Sequence, residues 1–405
     1  MKKEKSNWFK FGNPNEIKSI VGGLLLAPST MFLGGELWQS FLIESGISEQ
    51  NIATYTSITQ IASVVAFFLF GRVVDNLKNI IKAQSLFTLC KLPTFILFGL
   101  FCLIPDIDVS VKFTCVLILG IITTATTAMG NLCSYKLPYC TIEISRYGFV
   151  TGISGVLGNA NGIVWSAIIS SVLSSGYYFN IMLVFFGIGF FMTIGSAVIY
   201  GSLKEMRTEV IKKKDQKINL FKYPPFYWLI IPNLARGLHS GIYSLLVTLG
   251  YYSGILDAAS TTYLVVIVNI AGMLCNILYS KICAKTLKNN RRLILISSII
   301  VALLSPIAFI FKNPIVFLII YGVCYIFYQM FCIAIPVAVT EIIDYQVAGQ
   351  YSSGRLLLNS LGSIISAAIC MWLVDTIGVI LVLFLAGFVL ILSGGGMYVV
   401  MNKME

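Results

Sequence analysis

The feature that most constrains this chain is a series of twelve apolar segments, each close to twenty residues long, with short polar connections. An α-helix rises about 1.5 Å per residue, so each segment is long enough to cross ~30 Å of hydrocarbon. Charged residues make up only 11% of the chain, too few to cover a soluble protein. We therefore predict an all-α integral membrane protein with twelve transmembrane helices. The segments are 20–43, 52–74, 84–104, 112–137, 148–174, 178–201, 225–249, 258–280, 293–311, 314–339, 355–374 and 377–401.

A long polar stretch, 204–222, follows the sixth segment and is rich in lysine. Such a charge run is typical of a solvated linker. It divides the chain into a first bundle at 1–202, a cytoplasmic basic linker at 203–224 and a second bundle at 225–405. We predict two pseudo-symmetric bundles of six helices each.

The two halves share a short motif, which indicates an ancestral duplication. Pro138-Tyr-Cys-Thr-Ile-Glu143-Ile in the first half recurs as Pro336-Val-Ala-Val-Thr-Glu341-Ile in the second. Both copies lie at the cytoplasmic end of the fourth segment of their half. Parallel repeats about an axis along the membrane normal are a known transporter design.

The basic residues predict the orientation of the chain in the membrane. With the N-terminus inside, twenty-four lysines and arginines fall on the cytoplasmic side, and only Lys112 and Lys312 fall outside. This asymmetry follows the positive-inside rule. We expect a multi-pass protein of the inner cell membrane with both termini in the cytoplasm. Because topology explains the net charge of +11, we expect the lipid bilayer and no nucleic acid as a partner. A monomer is our expectation.

Cysteine and histidine usage argues against a metal site or an enzyme. None of the ten cysteines forms a CxxC pair, and the chain has a single histidine, His239. A zinc site usually needs several such ligands. An enzyme would need a nucleophile near a base, or paired acids and bases. We expect neither a metal nor another cofactor, and no enzymatic activity.

A few ionisable residues lie within the apolar segments, where they are costly and usually functional. Arg236, near the middle of the seventh segment, either holds an anionic or hydroxyl group of a solute or forms a structural ion pair. Glu36 in the first segment either pairs with Arg236, binds a proton or reaches the outer interface. His239 is either a packing residue or a proton relay. Lys91, in the third segment, is expected to extend towards the interface or to contact a carbonyl.

Polar stripes at helical spacing predict a cavity lined by the first, fourth, seventh and tenth segments. Interhelical hydrogen bonding is the alternative explanation for such stripes. Tyrosines suit a solute with apolar faces and polar edges, such as a sugar. The predicted substrate-binding residues are Glu36, Thr127, Asn131, Arg236, His239, Tyr325, Tyr328 and Gln329.

The connection after the second segment carries Gly71-Arg72-Val-Val-Asp75. Together with the twelve segments and the basic central linker, it resembles the Gly-x-x-x-Asp signature of the major facilitator superfamily. The resemblance implies that the two bundles form that superfamily's fold. It also implies that the first, fourth, seventh and tenth helices line the cavity, as the polar stripes predict.

Two further stretches resemble the glycoside–pentoside–hexuronide:cation symporters, the melibiose permease group. One runs from Leu137 to Gly148; the other contains Asp344-Tyr345-Gln346 and then Gly354-Arg355. Sodium-coupled members of that family carry acids on helix two, whereas the segment 52–74 has none. The resemblance therefore carries no sodium site over to this chain, and H⁺ or Na⁺ both stay open as the coupling ion.

These features together predict a secondary active transporter for a small polar solute, such as a sugar, glycoside or hexuronide. Cation-coupled symport by alternating access is the expected mechanism. An efflux carrier for drugs or lipids on the same fold is the alternative. Charged residues at the ends of the helices are predicted to form a cytoplasmic gate: Arg72, Asp75, Glu143, Arg146, Glu341, Asp344 and Arg355.

Overall fold

The computed structural model describes residues 11–33, 35–173, 178–206, 224–256, 258–283, 287–340 and 342–403, except for some side chains within helices. The regular elements of these residues are helices, as predicted. In the first half they are α1 Pro14–Phe32, α2 Gly35–Glu44, α3 Glu49–Asp75, α4 Ile80–Leu89, α5 Leu92–Leu103, α6 Val109–Lys136, α7 Pro138–Thr141, α8 Ile144–Leu173 and α9 Tyr178–Gly201. In the second half they are α10 Pro224–Tyr243, α11 Leu246–Tyr252, α12 Ala258–Cys283, α13 Leu287–Ile310, α14 Pro314–Val339, α15 Ala348–Ile377 and α16 Val379–Lys403, with a 3₁₀ turn at Tyr345–Val347.

Three predicted segments are interrupted, each forming two consecutive helices. The first segment holds α1 and α2, the third holds α4 and α5, and the seventh holds α10 and α11. The break before α5 has a clear local cause, because Pro93 lies in the first turn of α5. Proline has no N–H to continue the preceding helix and clashes with its last turn. The break leaves Lys91 between the two helices.

Apolar side chains cover much of the outer surface, as lipid contact requires. Phe68 is 74% exposed and Trp372 is 65% exposed, which would be unusual for a soluble domain. Eight helical stretches among the described residues are long and apolar enough to cross a membrane. They are Thr54–Asp75, Ile80–Leu103, Val109–Lys136, Phe179–Gly201, Asn289–Ile310, Pro314–Val339, Tyr345–Ile377 and Val379–Lys403.

The helices of each half pack in corresponding ways. The first helix of each half contacts the fifth and sixth segments of its own half: α1 packs on α8 and α9, and α10 packs on α15 and α16. The two most extensive contacts between the halves are those of α3 with α15 and of α8 with α12. Each joins the second segment of one half to the fifth segment of the other, so the two contacts are equivalent under the pseudo-symmetry that relates the halves.

Glycines allow both of these contacts to be close. A Cβ on Gly71 of α3 would lie 2.5 Å from the Cβ of Ser353 in α15. A Cβ on Gly155 of α8 would overlap the side chain of Asn276 in α12. The backbones therefore approach more closely than larger residues would permit, as in small-residue contacts between membrane helices.

Candidate functional site

The two halves meet at the end of the bundle where α3 ends and α15 begins, which we call the Asp75 end. One carboxylate oxygen of Asp75 accepts a hydrogen bond from the backbone N–H of Gly349 at 2.7 Å, and the other accepts from Gln350 at 2.8 Å. These N–H groups belong to the first turn of α15, which has no intrahelical acceptors for them. Asp75 thus caps a helix of the opposite half, where the helix dipole favours a negative charge.

Lys136, the last residue of α6, completes this closure. Its ammonium lies 3.1 Å from Asp75 Oδ1 and also donates to the backbone carbonyl of Asp75. It stands 4.3 Å from the ring centroid of Tyr345, which precedes α15. The side chains of Asp75 and Lys136 are 4% and 1% exposed. Three consecutive contacts therefore join α3, α6 and the start of α15.

The other predicted gate residues lie in different surroundings. Arg146 binds Glu16 at 2.5 and 2.9 Å, a contact between α8 and α1 of the same half. Glu143 is exposed and accepts a hydrogen bond from Ser145, and Asp344 and Arg72 are also exposed. Glu341 lies outside the described residues. Asp75 and Arg355, by contrast, each contact residues of the opposite half.

Arg355 lies deeper than the sequence suggests. It is 3% exposed, and its guanidinium carbon is 4.4 Å from the ring centroid of Tyr135 in α6. Its Nε has no hydrogen-bond partner. A desolvated cation over an aromatic face is stabilised by about 2 kcal/mol. The contact crosses between the halves, one turn inside the closure at Asp75.

A cavity of 270 Å³, lined by both polar and apolar side chains, lies within the first half, between α1, α2, α3, α5 and α6. Its lining includes the predicted residues Thr127 and Asn131 together with Lys91. Lys91 is 9% exposed. Among the described residues, no backbone carbonyl accepts a hydrogen bond from its ammonium, although such a contact was one of the two expectations. The remaining polar lining residues are Thr30, Tyr55, Ser63, Thr94, Thr123 and Thr124.

This cavity borders a second space that reaches the opposite half. Ser63 of α3 lines both the first cavity and a crevice of 340 Å³. The crevice is also lined by Ser244 and by Asn359, Ser360 and Ser363 of α15. The Oδ1 atom of Asn359 is buried without a hydrogen-bond partner. Polar side chains of both halves therefore line the two spaces on either side of Ser63.

Arg236 lies on the second-half side of the interior. Its Nη2 donates to Cys332 Sγ at 3.2 Å, and its guanidinium carbon is 5.9 Å from the ring centroid of Phe331. Its Nε is buried without a hydrogen-bond partner. Among the described side chains, no carboxylate lies within ion-pair distance of Arg236. The side chain of Glu36, its predicted partner, lies outside the described residues.

Aromatic rings form a stack beside Arg236. His239 and Tyr243 of α10 lie on one face of that helix, with ring centroids 5.4 Å apart. Tyr328 of α14 stacks on Tyr243 at 4.4 Å and lies 5.5 Å from His239. The Nδ1 of His239 and the hydroxyl of Tyr243 are both buried without a hydrogen-bond partner. Such atoms carry a desolvation cost unless a ligand satisfies them.

The two remaining predicted binding residues lie on α14. Tyr325 and Gln329 are hydrogen-bonded to each other. Gln329 also lines a third cavity, of 490 Å³, together with Tyr147, Thr151 and Asn276. The structure therefore brings Arg236, His239 and Tyr328 together, and separately brings Thr127 and Asn131 together.

The predicted site residues did not include Lys136, Tyr135, Tyr243 or Lys91, and Lys91 was expected to extend towards the interface or to contact a carbonyl. Lys136 and Tyr135 lie at the end of an apolar segment, where basic and aromatic residues usually mark the interface. Tyr243 follows Arg236 at helical spacing, so the sequence alone indicates that the two side chains share a face of the helix.

Solved structures similar to this chain share its architecture. A bacterial homologue of the iron transporter ferroportin, in the outward-facing state with soaked iron, aligns with a TM-score of 0.67 at 12% identity over 96% of this chain and 98% of that one. The E. coli fucose:proton symporter aligns with a TM-score of 0.67 at 13% identity over 96% and 98%. The proton:xylose symporter of the major facilitator superfamily, bound to 6-bromo-6-deoxy-D-glucose, aligns with a TM-score of 0.67 at 12% identity over 94% of each chain.

Identities this low show the fold alone. No protein-family model and no curated protein matches the sequence. The chain has the major facilitator fold, as the Gly71–Asp75 signature predicted, and it is a multi-pass membrane protein.

Proposed function

We propose that this protein is a secondary active transporter that moves a small polar solute by alternating access. In this proposal the chain crosses the inner membrane twelve times, in two bundles of six helices. Both termini and the Asp75 end face the cytoplasm. The described state is then closed towards the cytoplasm.

The observation that carries the proposal is the contact of Asp75 with the first turn of α15. The contact joins the two halves through one side chain and two backbone N–H groups, so it breaks when the halves separate and reforms when they close. A rocking movement of two related halves about a central site is the expected motion of an inverted or parallel repeat transporter. The contacts of Lys136 with Tyr345 and of Arg355 with Tyr135 would break in the same movement.

The interior supports a polar solute. The cavity beside Thr127 and Asn131 is lined by hydroxyl, amide and apolar groups, and the second half offers Arg236 and two partnerless polar atoms. A drug or lipid carrier would be better served by a larger and more apolar chamber. A sugar, glycoside or hexuronide presents both hydroxyl groups for these atoms and apolar faces for the ring stack.

Reconstitution tests the proposal. The purified full chain in proteoliposomes should exchange a radiolabelled solute from a panel of sugars, hexuronates and nucleosides, with the identity of the solute first narrowed by thermal-shift measurements. Imposed proton and sodium gradients then identify the coupling ion. Absence of exchange above protein-free liposomes for the whole panel would contradict a role in polar solute transport.

A further inference from the structure

Three buried lysines of the first half differ in how their charge is satisfied. Lys112, 4% exposed, donates to the carbonyls of Ser45 at 3.1 Å and Pro105 at 2.7 Å. Lys136 binds Asp75. The Lys91 side chain, in a residue that is 9% exposed, has no hydrogen bond or ion pair among the contacts of the described residues, and it lines a cavity. Desolvation of an ammonium without such partners is costly, so a ligand in the cavity is the natural source of compensation.

The surroundings of Lys91 are those of a site rather than of a packed core. Lys91 lines the 270 Å³ cavity, whose described lining residues are hydroxyl, amide and apolar side chains with no acid among them. Thr94 and Thr123 are held together by a hydrogen bond of 2.8 Å between their hydroxyls. The cavity is near the lower end of the size range of ligand pockets, about 300 Å³, which suits one small group of a solute.

The break in the third segment places Lys91 inside the protein. Because Pro93 lies in the first turn of α5, the segment cannot continue as one helix, and Lys91 lies between the end of α4 and the start of α5. The positive charge at this point is that of the Lys91 ammonium, which favours an anionic ligand.

The depth of Lys91 matches that of the proposed solute site. At about 1.5 Å per residue, Lys91 lies roughly 16 Å from the start of α4. Arg236 lies roughly 18 Å from the start of α10. Helix α10 runs parallel to α15, since Gly354 packs against Ile230 and Gly237 against Asn359. Both α4 and α10 thus begin near the Asp75 end, and each half contributes one cation at about mid-depth.

We infer that Lys91 is the anion-binding residue of the solute site, and that the transported solute is a small polyhydroxylated organic anion. Its carboxylate or phosphate group binds the Lys91 ammonium, with Thr94, Thr123 and Asn131 around it. The rest of the solute extends past Ser63 into the crevice lined by Asn359 and Ser363 of the second half. This inference rests on the proposed transport function and narrows its substrate class.

Matched charged and neutral probes test the inference. Purified wild-type protein is heated with D-glucuronate, D-galacturonate, D-gluconate or D-glucose 6-phosphate, and with the neutral D-glucose, D-galactose and D-glucitol. We expect at least one anionic probe to raise the melting temperature more than its neutral counterpart. The carboxylates and the phosphate ester distinguish the two possible oxyanion groups.

Three variants assign the effect to Lys91. Lys91→Gln should weaken binding of the stabilising anion about tenfold or more, as expected for the loss of a charge-assisted hydrogen bond. Lys91→Arg should retain part of the binding, and the neutral probes should be unaffected by either change. Lys112→Gln is the control, because it removes a buried lysine that already has carbonyl partners; it should leave the anion preference unchanged.

Two results would overturn the inference. One is a wild-type protein that no anionic probe stabilises, or one whose anion binding survives Lys91→Gln. The other is coupling to Glu36: if Lys91→Gln and Glu36→Gln each lower the melting temperature and the double variant lowers it no further, Lys91 is held by a structural ion pair. If neutral solutes still exchanged in proteoliposomes, the proposed transport function would be retained and only the role of Lys91 would be rejected. Absence of any exchange would contradict both the transport function and the role of Lys91.

Discussion

Asp75 and Lys136 form an ion pair of 3.1 Å with almost no solvent exposure. The same carboxylate of Asp75 caps the first turn of α15 in the opposite half. A buried ion pair is weak evidence for stability in itself, because desolvation offsets much of the attraction. Removing one partner is costly, however, because it leaves the other charge buried. Both residues belong to the first half, so the pair positions Asp75, and the hydrogen bonds from α15 to Asp75 join the two halves.

Asp75→Ala should shift the protein towards a state open at the Asp75 end. Cys140 lies beside this closure and is 2% exposed, so opening should expose its thiol. We expect maleimide labelling of Cys140 to become several-fold faster, as measured by mass spectrometry of the labelled peptide. Asp75→Asn, which keeps an acceptor for the N–H groups of α15, should have a smaller effect. Equal labelling rates in wild type and Asp75→Ala would contradict the latch.

The closeness of α3 and α15 makes a second prediction. A side chain on Gly71 would overlap Ser353, and overpacking costs about 1–3 kcal/mol. Gly71→Ala should therefore lower the melting temperature and reduce solute exchange. Gly187→Ala is the matched control, because a Cβ there meets no atom within 4 Å and alanine favours helix over glycine by up to about 1 kcal/mol. If both substitutions leave the melting temperature unchanged or raise it, the tight interface is not required.

Sequence patterns predict the helices well because length and apolar character are local properties. Each predicted segment corresponds to one helix or to two consecutive helices, and the Gly71–Asp75 motif marks the contact that the structure contains. The breaks at Lys91 and after Tyr243 were not predicted, since a run of apolar residues gives no sign of an interruption. Only Pro93 offered a local signal for the first break.

Partners of the charged residues were harder to predict, because they depend on which helices meet. Lys136 counts as a cytoplasmic lysine by topology, yet it is buried against Asp75, a residue distant in the sequence. Arg146 closely follows the motif shared by both halves, but its partner Glu16 lies within the same half. Local sequence patterns identify the charged residues whose burial is energetically costly. The tertiary packing determines which partner neutralises the charge of each.

The Glu16–Arg146 pair gives a prediction about stability. Glu16 is 1% exposed at its side chain and Arg146 is 31% exposed, so solvent screens the pair only in part. We expect Glu16→Gln to lower the free energy of unfolding by about 1–3 kcal/mol, because it removes one partner of a bidentate contact. Labelling of Cys140 should stay at the wild-type rate, since the pair lies within one half. A large increase in labelling would instead make this pair part of the closure.

Arg236→Ala should abolish solute exchange while the protein stays folded. Without the guanidinium, the solute loses a cationic partner in the second half, and Cys332 and Phe331 remain as packing residues. Exchange in proteoliposomes and the melting temperature are the two measurements. Arg292→Ala removes an exposed arginine and should leave both unchanged. Normal exchange by Arg236→Ala would remove this residue from the solute site.

Replacing Tyr243 or Tyr279 with phenylalanine should change the melting temperature in opposite directions. The hydroxyl of Tyr243 is buried without a hydrogen-bond partner, whereas that of Tyr279 donates to Asn290 Oδ1 at 2.9 Å. An unsatisfied buried hydroxyl costs about 1–3 kcal/mol, so Tyr243→Phe should raise the melting temperature of the ligand-free protein. Tyr279→Phe should lower it, because Asn290 then loses its donor.

Solute affinity separates a binding role of Tyr243 from a purely structural one. If its hydroxyl is kept free to bind solute, Tyr243→Phe should weaken solute binding even as it stabilises the ligand-free protein, a trade-off typical of binding sites. The ring stack with Tyr328 at 4.4 Å is retained in phenylalanine, so loss of stacking would not account for the weaker binding. Isothermal titration of the stabilising solute against wild type and the two variants measures the change. Unchanged affinity together with higher stability would mean that the hydroxyl of Tyr243 does not contact the solute.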